Sequence, residues 1–314
     1  MMANEKPPFG PIEAGQLPVA EAPDAIWNSI LASLNKHGAG APSRVRWWQV
    51  AAAFALLIGV TSLWYSTRTS PSWEVVRLDG SPSVGSKRVS DTGRIAVGEW
   101  LQTDGSSRAR IDVGEIGTVE VEPNSRVRLI AAKPNEHRLS LARGEISAVV
   151  SAPPRLFFVD TPASTAVDLG CAYKMKTDES GSGLLRVTAG WVALEWKGRE
   201  SLVPAGASCR TRPGGGPGTP YFSDASEVLQ MALAEFDFDQ GGSDALRVVL
   251  HESRVRDTLT LWHLLSRVDS NERLHVFDRM VELAPLPPGV SREKVLELEK
   301  DTLERWRQEL AWKW

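Results

Sequence analysis

The side chains that could do chemistry are few and scattered. The five histidines (His37, His137, His251, His263 and His275) include no pair four residues apart, the helical spacing that turns two imidazoles toward one metal ion. They predict no metal site. Asp160, Asp168 and Asp178 flank apolar stretches that read as strands, where carboxylates usually shape turns or meet water. No nucleophile elbow, phosphate-binding loop or dinucleotide fingerprint occurs in the chain. The expectation is a protein that is not an enzyme, with no catalytic residues and no cofactor.

Two thiols and one apolar stripe remain. Cys171 ends the strand-turn VDLGC and Cys209 lies in VPAGASC, 38 residues on. Two readings stand side by side: two small buried thiols, or a disulfide, which would contribute roughly 4 kcal/mol by constraining the unfolded chain. An even count in an oxidising compartment makes the Cys171–Cys209 disulfide the expectation. The stripe is Ile26, Trp27, Ile30, Leu31 and Leu34, set at helical spacing between Pro23 and Gly38. Burying such side chains gains roughly 6–10 kcal/mol, about what ordering a dozen residues costs. Such a helix folds when it docks in a partner's groove; the alternative is a helix lying on a membrane surface.

The elements that must position these groups are organised around Trp47–Tyr65, nineteen residues without a charge, with aromatic pairs at both ends. As a helix the run spans close to 30 Å, the thickness of a bilayer's hydrocarbon core. It predicts one transmembrane helix with aromatic belts. Lys36, Arg44 and Arg46 precede it, against Arg68 and Arg77 after it, so the positive-inside rule places residues 1–46 in the cytoplasm. Both cysteines then fall on the outer side of the membrane, with the C-terminal domains extracytoplasmic.

Residues 73–210 alternate apolar and polar with period two: Ala109, Ile111 and Val113; Val119 and Val121; Val127 and Leu129; Leu139 and Leu141; Ile146, Ala148 and Val150. Glycines punctuate these runs every ten residues or so, the pattern of an all-β sandwich or roll. Residues 211–222, with RPGGGPGTP, read as a linker or an arm along the surface. From residue 223 to 314 the period becomes helical, with Ser243, Asp257, Ser270 and Ser291 as N-cap candidates and a last helix over 292–311. This predicts an α-helical bundle. The chain's formal charge of −3 excludes a basic nucleic-acid binder.

In their order, VGEWLQT (97–103), SRARIDVGEIGTVEVEPNSRVRL (107–129), LSLARGEISAVV (139–150), FFVDTPASTAVDLGCAYKM (157–175) and VTAGWVALE (187–195) resemble the FecR family of single-pass envelope proteins that regulate sigma factors. The resemblance covers about residues 75–207. It implies a FecR-like β domain outside, a transmembrane helix, and a cytoplasmic tail that binds an extracytoplasmic-function sigma factor, with Ile26, Trp27, Ile30, Leu31 and Leu34 as the contact. The helical C-terminal region departs from the small α/β module that meets an outer-membrane transporter in iron-transport regulators. An alternative is an envelope scaffold or wall-binding module, with Trp100, Trp191 and Trp196 as a sugar platform and no sigma-factor partner.

Overall fold

In the computed structural model residues 71–314 are described; the tail stripe and the 47–65 run lie outside the described residues. Short strands form two sheets that face one another across an apolar core. The first contains β1 (Ser72–Asp79), flanked by β4 (Thr92–Ala96) and β6 (Arg108–Asp112), and continues through β7 (Gly117–Val121). The second contains β2 (Ser83–Val84), β3 (Lys87–Arg88), β5 (Trp100–Gln102) and β8 (Arg126–Lys133).

The long strand β9 (Glu136–Val150) belongs to both sheets. Its first half pairs with β8, and its second half pairs with β7. The sequence shows how one strand serves two sheets. Core positions are odd at Leu139 and Leu141 and even at Ile146, Ala148 and Val150, so the inward face switches near Gly144. Gly144 has φ +94°, and a Cβ there would sit 2.1 Å from the Ser125 hydroxyl. Only glycine allows that crossing.

Beyond β9 both sheets grow. The second adds β10 (Phe157–Asp160, parallel to β9), β11 (Thr165–Asp168), β14 (Trp191–Trp196) and β15 (Arg199–Pro204). The first adds β12 (Cys171–Thr177), β13 (Gly183–Ala189) and β16 (Ala207–Arg212). The alternating residues named from the sequence, from Ala109 to Val150, point into the shared core.

The glycine-proline segment is not a free linker. Within it β17 (Gly216–Pro217) and β18 (Tyr221–Phe222) pair with β16, and residues 216–222 are buried. Glycine is there for close approach: a Cβ on Gly216 would lie 2.5 Å from the Trp196 ring.

The helices are α1 (Glu227–Phe238), α2 (Gly242–Glu252), α3 (Thr258–Leu265), α4 (Ser270–Leu283), α5 (Arg292–Leu296) and α6 (Lys300–Leu310). Ser226, Asp269 and Ser291 cap α1, α4 and α5 with side-chain oxygens, which moves the expected Ser270 cap back by one residue. Ser243 lies inside α2. The last helix predicted as continuous breaks at Leu298, which has φ +58°. None of the described helices is long and apolar enough to cross a membrane.

The described helices and sheets form one compact unit. The helical core gathers around Leu229, Leu261, Phe277 and Trp306. Leu259 of α3 belongs to the β core, and Tyr221 of β18 to the helical one. A buried polar seam runs between them. Arg267 donates from Nη1 to Thr219 Oγ1 at 2.9 Å and from Nη2 to Ser201 Oγ at 2.7 Å. Thr219 in turn donates from its backbone N–H (2.6 Å) and its hydroxyl (2.8 Å) to the Asp237 carboxylate. The seam ties α1, the arm and β15 together with directional bonds that an apolar contact alone would not provide.

Candidate functional site

The two cysteines are not bridged. Both are free and buried. They sit on β12 and β16, with β13 between; Ala172 is opposite Ala189, whereas Cys209 is opposite Leu185. Two strand spacings and several residues of offset put their backbones well over 10 Å apart, beyond the reach of a disulfide, whose Cα atoms lie within about 7 Å. The thiols serve locally. Cys171 Sγ donates to Asp168 Oδ2 at 2.6 Å, and Cys209 Sγ to the Gly218 carbonyl at 3.1 Å.

The four described histidines also stand apart; His37 lies outside the described residues. His137 is tilted against Trp73 (centroids 5.8 Å), His251 and His275 are exposed, and His263 is buried with Nε2 3.1 Å from the Leu202 carbonyl. Among the described residues no three of His, Cys, Asp and Glu gather as metal ligands. The three tryptophans of the sugar-platform alternative do not share one surface. Trp100 lies under Arg126 (4.2 Å) and Arg128, Trp191 packs on Trp314 (6.2 Å), and Trp196 turns elsewhere.

Trp196 faces an open cleft of about 600 Å³ at the end of the second sheet. Its floor is the start of β9 and β10. One wall is the β10–β11 turn, where Thr161 Oγ1 donates to the Ser164 carbonyl and accepts from the Ser164 N–H. The other is the β14–β15 hairpin, a two-residue turn with Lys197 at φ +45° and Gly198 at φ +81°, the left-handed pair that suits the twist of a tight hairpin. Arg138 spans the floor. Its guanidinium stacks 4.4 Å over Phe158, donates from Nη1 to Asp160 at 2.7 Å and from Nε to Glu136 at 2.9 Å. The Arg138 bond holds the Glu136 carboxyl below its usual range. Lys197 caps the Trp196 ring at 4.6 Å, and Arg155 ties down Glu195 at 2.9 Å.

Carboxylates bonded to guanidiniums in this way are held in place by charge-assisted hydrogen bonds, an arrangement that suits recognition. The cleft presents aromatic edges, hydroxyls and fixed charges of both signs to a ligand. Its key residue, Arg138, lies in a strand pattern that signals only a half-exposed position. What makes it notable is Asp160, 22 residues away, and sequence alone does not bring them together.

Residues 100–193, from β5 into β14, match the family model described as FecR protein. Two solved structures of a candidate anti-sigma factor from Parabacteroides distasonis are similar to this chain at 14% and 15% identity. The similarity covers 42% and 43% of this chain and 64% of each of theirs, with a TM-score of 0.35 in both cases. The chain thus spans less than two thirds of those proteins. No curated protein matches it.

Proposed function

We propose that the chain is a single-pass regulator of the inner membrane that relays an envelope signal to a cytoplasmic sigma factor of the extracytoplasmic-function type. The observation that carries this reading is the FecR match at residues 100–193, placed C-terminal to the apolar run at 47–65. In this reading the 47–65 run crosses the membrane, residues 1–46 are cytoplasmic, and the stripe Ile26, Trp27, Ile30, Leu31 and Leu34 docks in a groove on the sigma factor. The free thiols remove cysteine pairing as an argument for the outer compartment. Orientation then rests on the basic flank alone.

The β body and helices, joined through the Arg267 seam, are the sensing part, and the Arg138 cleft is its ligand-facing surface. Affinity purification of the full-length protein from solubilised native membranes, beside a deletion of residues 1–40, tests this. A sigma factor recovered with the full chain and lost on deletion is the expected result. Recovery of only envelope proteins or wall material, equally with both, would sink it in favour of a scaffold.

A further inference from the structure

The solvent face of the first sheet carries a cluster of cations that the reading above does not use. Lys174 and Lys176 on β12, Arg186 on β13 and Arg210 on β16 are all exposed, each between buried neighbours, so all four project from the same face. Register places Lys174 directly opposite Arg186. Lys176, Leu184 and Arg210 form the next row across the three strands. Among the described residues none of the four has a carboxylate oxygen within 4 Å, although Glu145 of β9 lies opposite Lys176 in register; Arg108 and Arg110 of the same sheet are paired, and Arg77 and Arg94 are not. Like charges set opposite one another on adjacent strands oppose folding. Their gathering points to an anion that lies over them.

A cavity of about 280 Å³ opens at this cluster. Lys176, Arg210 and Arg212 line it, and Phe238 of α1 contributes its wall. Arg212 is fixed there by Asp239 at 2.6 Å and by stacking on Phe238 at 4.8 Å. The lining carboxylate, Asp178, is occupied by its own turn, accepting from Ser180 Oγ at 2.6 Å and the Ser182 N–H at 3.0 Å. The unpaired Arg210 guanidinium and the Lys176 ammonium at one opening match a phosphoryl group, which takes forked donation from arginine and a point charge from lysine.

We propose that this cavity binds a phosphate-bearing ligand, with Lys176 and Arg210 as its principal contacts and Lys174 and Arg186 extending the site along the sheet. The test is lysine acetylation of the detergent-solubilised full-length protein, read residue by residue by mass spectrometry. Inorganic pyrophosphate is expected to slow acetylation of Lys176 several-fold, with exposed Lys87 on β3 unchanged. Sodium chloride at matched ionic strength should not do so. An R210E chain, changed at an exposed position and melting like the parent, should lose the protection.

A second arm identifies the source of the phosphate. Protection in phosphatidylglycerol nanodiscs but not phosphatidylcholine ones, without added pyrophosphate, assigns it to a lipid headgroup; protection by pyrophosphate alone assigns it to a soluble phosphorylated ligand. Unchanged Lys176 reactivity in all of these conditions, equal protection by chloride, or protection that survives in the R210E chain overturns the proposal.

Discussion

Arg267 and Asp237 face one another 3.7 Å apart with side chains only 8% and 7% exposed, one following α3 and the other near the end of α1. Burial alone pushes the Asp237 carboxyl up and the Arg267 guanidinium down, so each opposes the penalty on the other. Removing one partner strands a buried charge. Arg267→Met is therefore expected to lower stability by about 3–5 kcal/mol. Adding Asp237→Asn should restore part of that loss, since the uncompensated charge disappears with it. Urea unfolding of the two single variants and the double one closes the cycle; strictly additive losses would show that the two residues do not act as a pair.

His263 gives the fold a pH dependence. Its ring is buried, its Nε2 meets the Leu202 carbonyl, and its pKa falls from 6.5 to about 3 because burial disfavours the cation, with Arg267 adding repulsion. The folded chain thus binds fewer protons here than the unfolded chain between those values. Stability from this group is full above pH 6.5 and is lost as pH falls toward 3, at up to about 1.4 kcal/mol per unit. Carboxylates also titrate at the low end, so the comparison belongs between pH 6.5 and 5. A His263→Gln chain, read by thermal melting at both pH values, should lose less stability than the parent over that interval. Equal slopes would assign the dependence to other groups.

The thiols make a sharper chemical prediction. Burial pushes the Cys209 thiol up to about 12, and burial together with the Asp168 carboxylate pushes Cys171 up as well. Neither is a nucleophile at neutral pH. A maleimide probe at pH 8 should label the native protein negligibly, and should label two thiols per chain after unfolding without reductant. No labelling of the unfolded, unreduced chain would restore the disulfide.

Much of this architecture is legible from period and punctuation. The alternation of Ala109, Ile111, Val119, Val121, Val127 and Leu129 fixes which residues line the β core, because strand geometry leaves no other choice. The parity switch between Leu141 and Ile146 is also visible in the sequence, yet its meaning, one strand passing between two sheets, needs Ser125 beneath Gly144 to explain it. Other features are hidden because they depend on long-range pairing. Composition makes residues 211–222 look like a spacer, but the glycines serve close approach to Trp196 and Phe238. The two halves of the Arg138–Asp160 pair, like the four cations from Lys174 to Arg210, meet only through strand order. No local pattern encodes that order.

The C-terminal tryptophans divide by role, and the division can be measured. Trp314 Nε1 donates to Thr258 Oγ1 at 3.0 Å, and its ring lies 6.2 Å from Trp191 of β14 and 6.4 Å from Trp262 of α3. It therefore fastens the end of the chain to both the sheet and the helices. Trp312, two residues earlier, is 91% exposed. Truncating a half-buried indole forfeits part of its apolar burial and one hydrogen bond, so Trp314→Ala is expected to cost about 1.5–3 kcal/mol. Trp312→Ala should stay within about 0.5 kcal/mol, as surface changes usually do. Urea midpoints of the two variants decide it. A loss at Trp312 matching that at Trp314 would mean that Trp312 is held in a contact the isolated chain does not show, and would move attention to it as a docking residue.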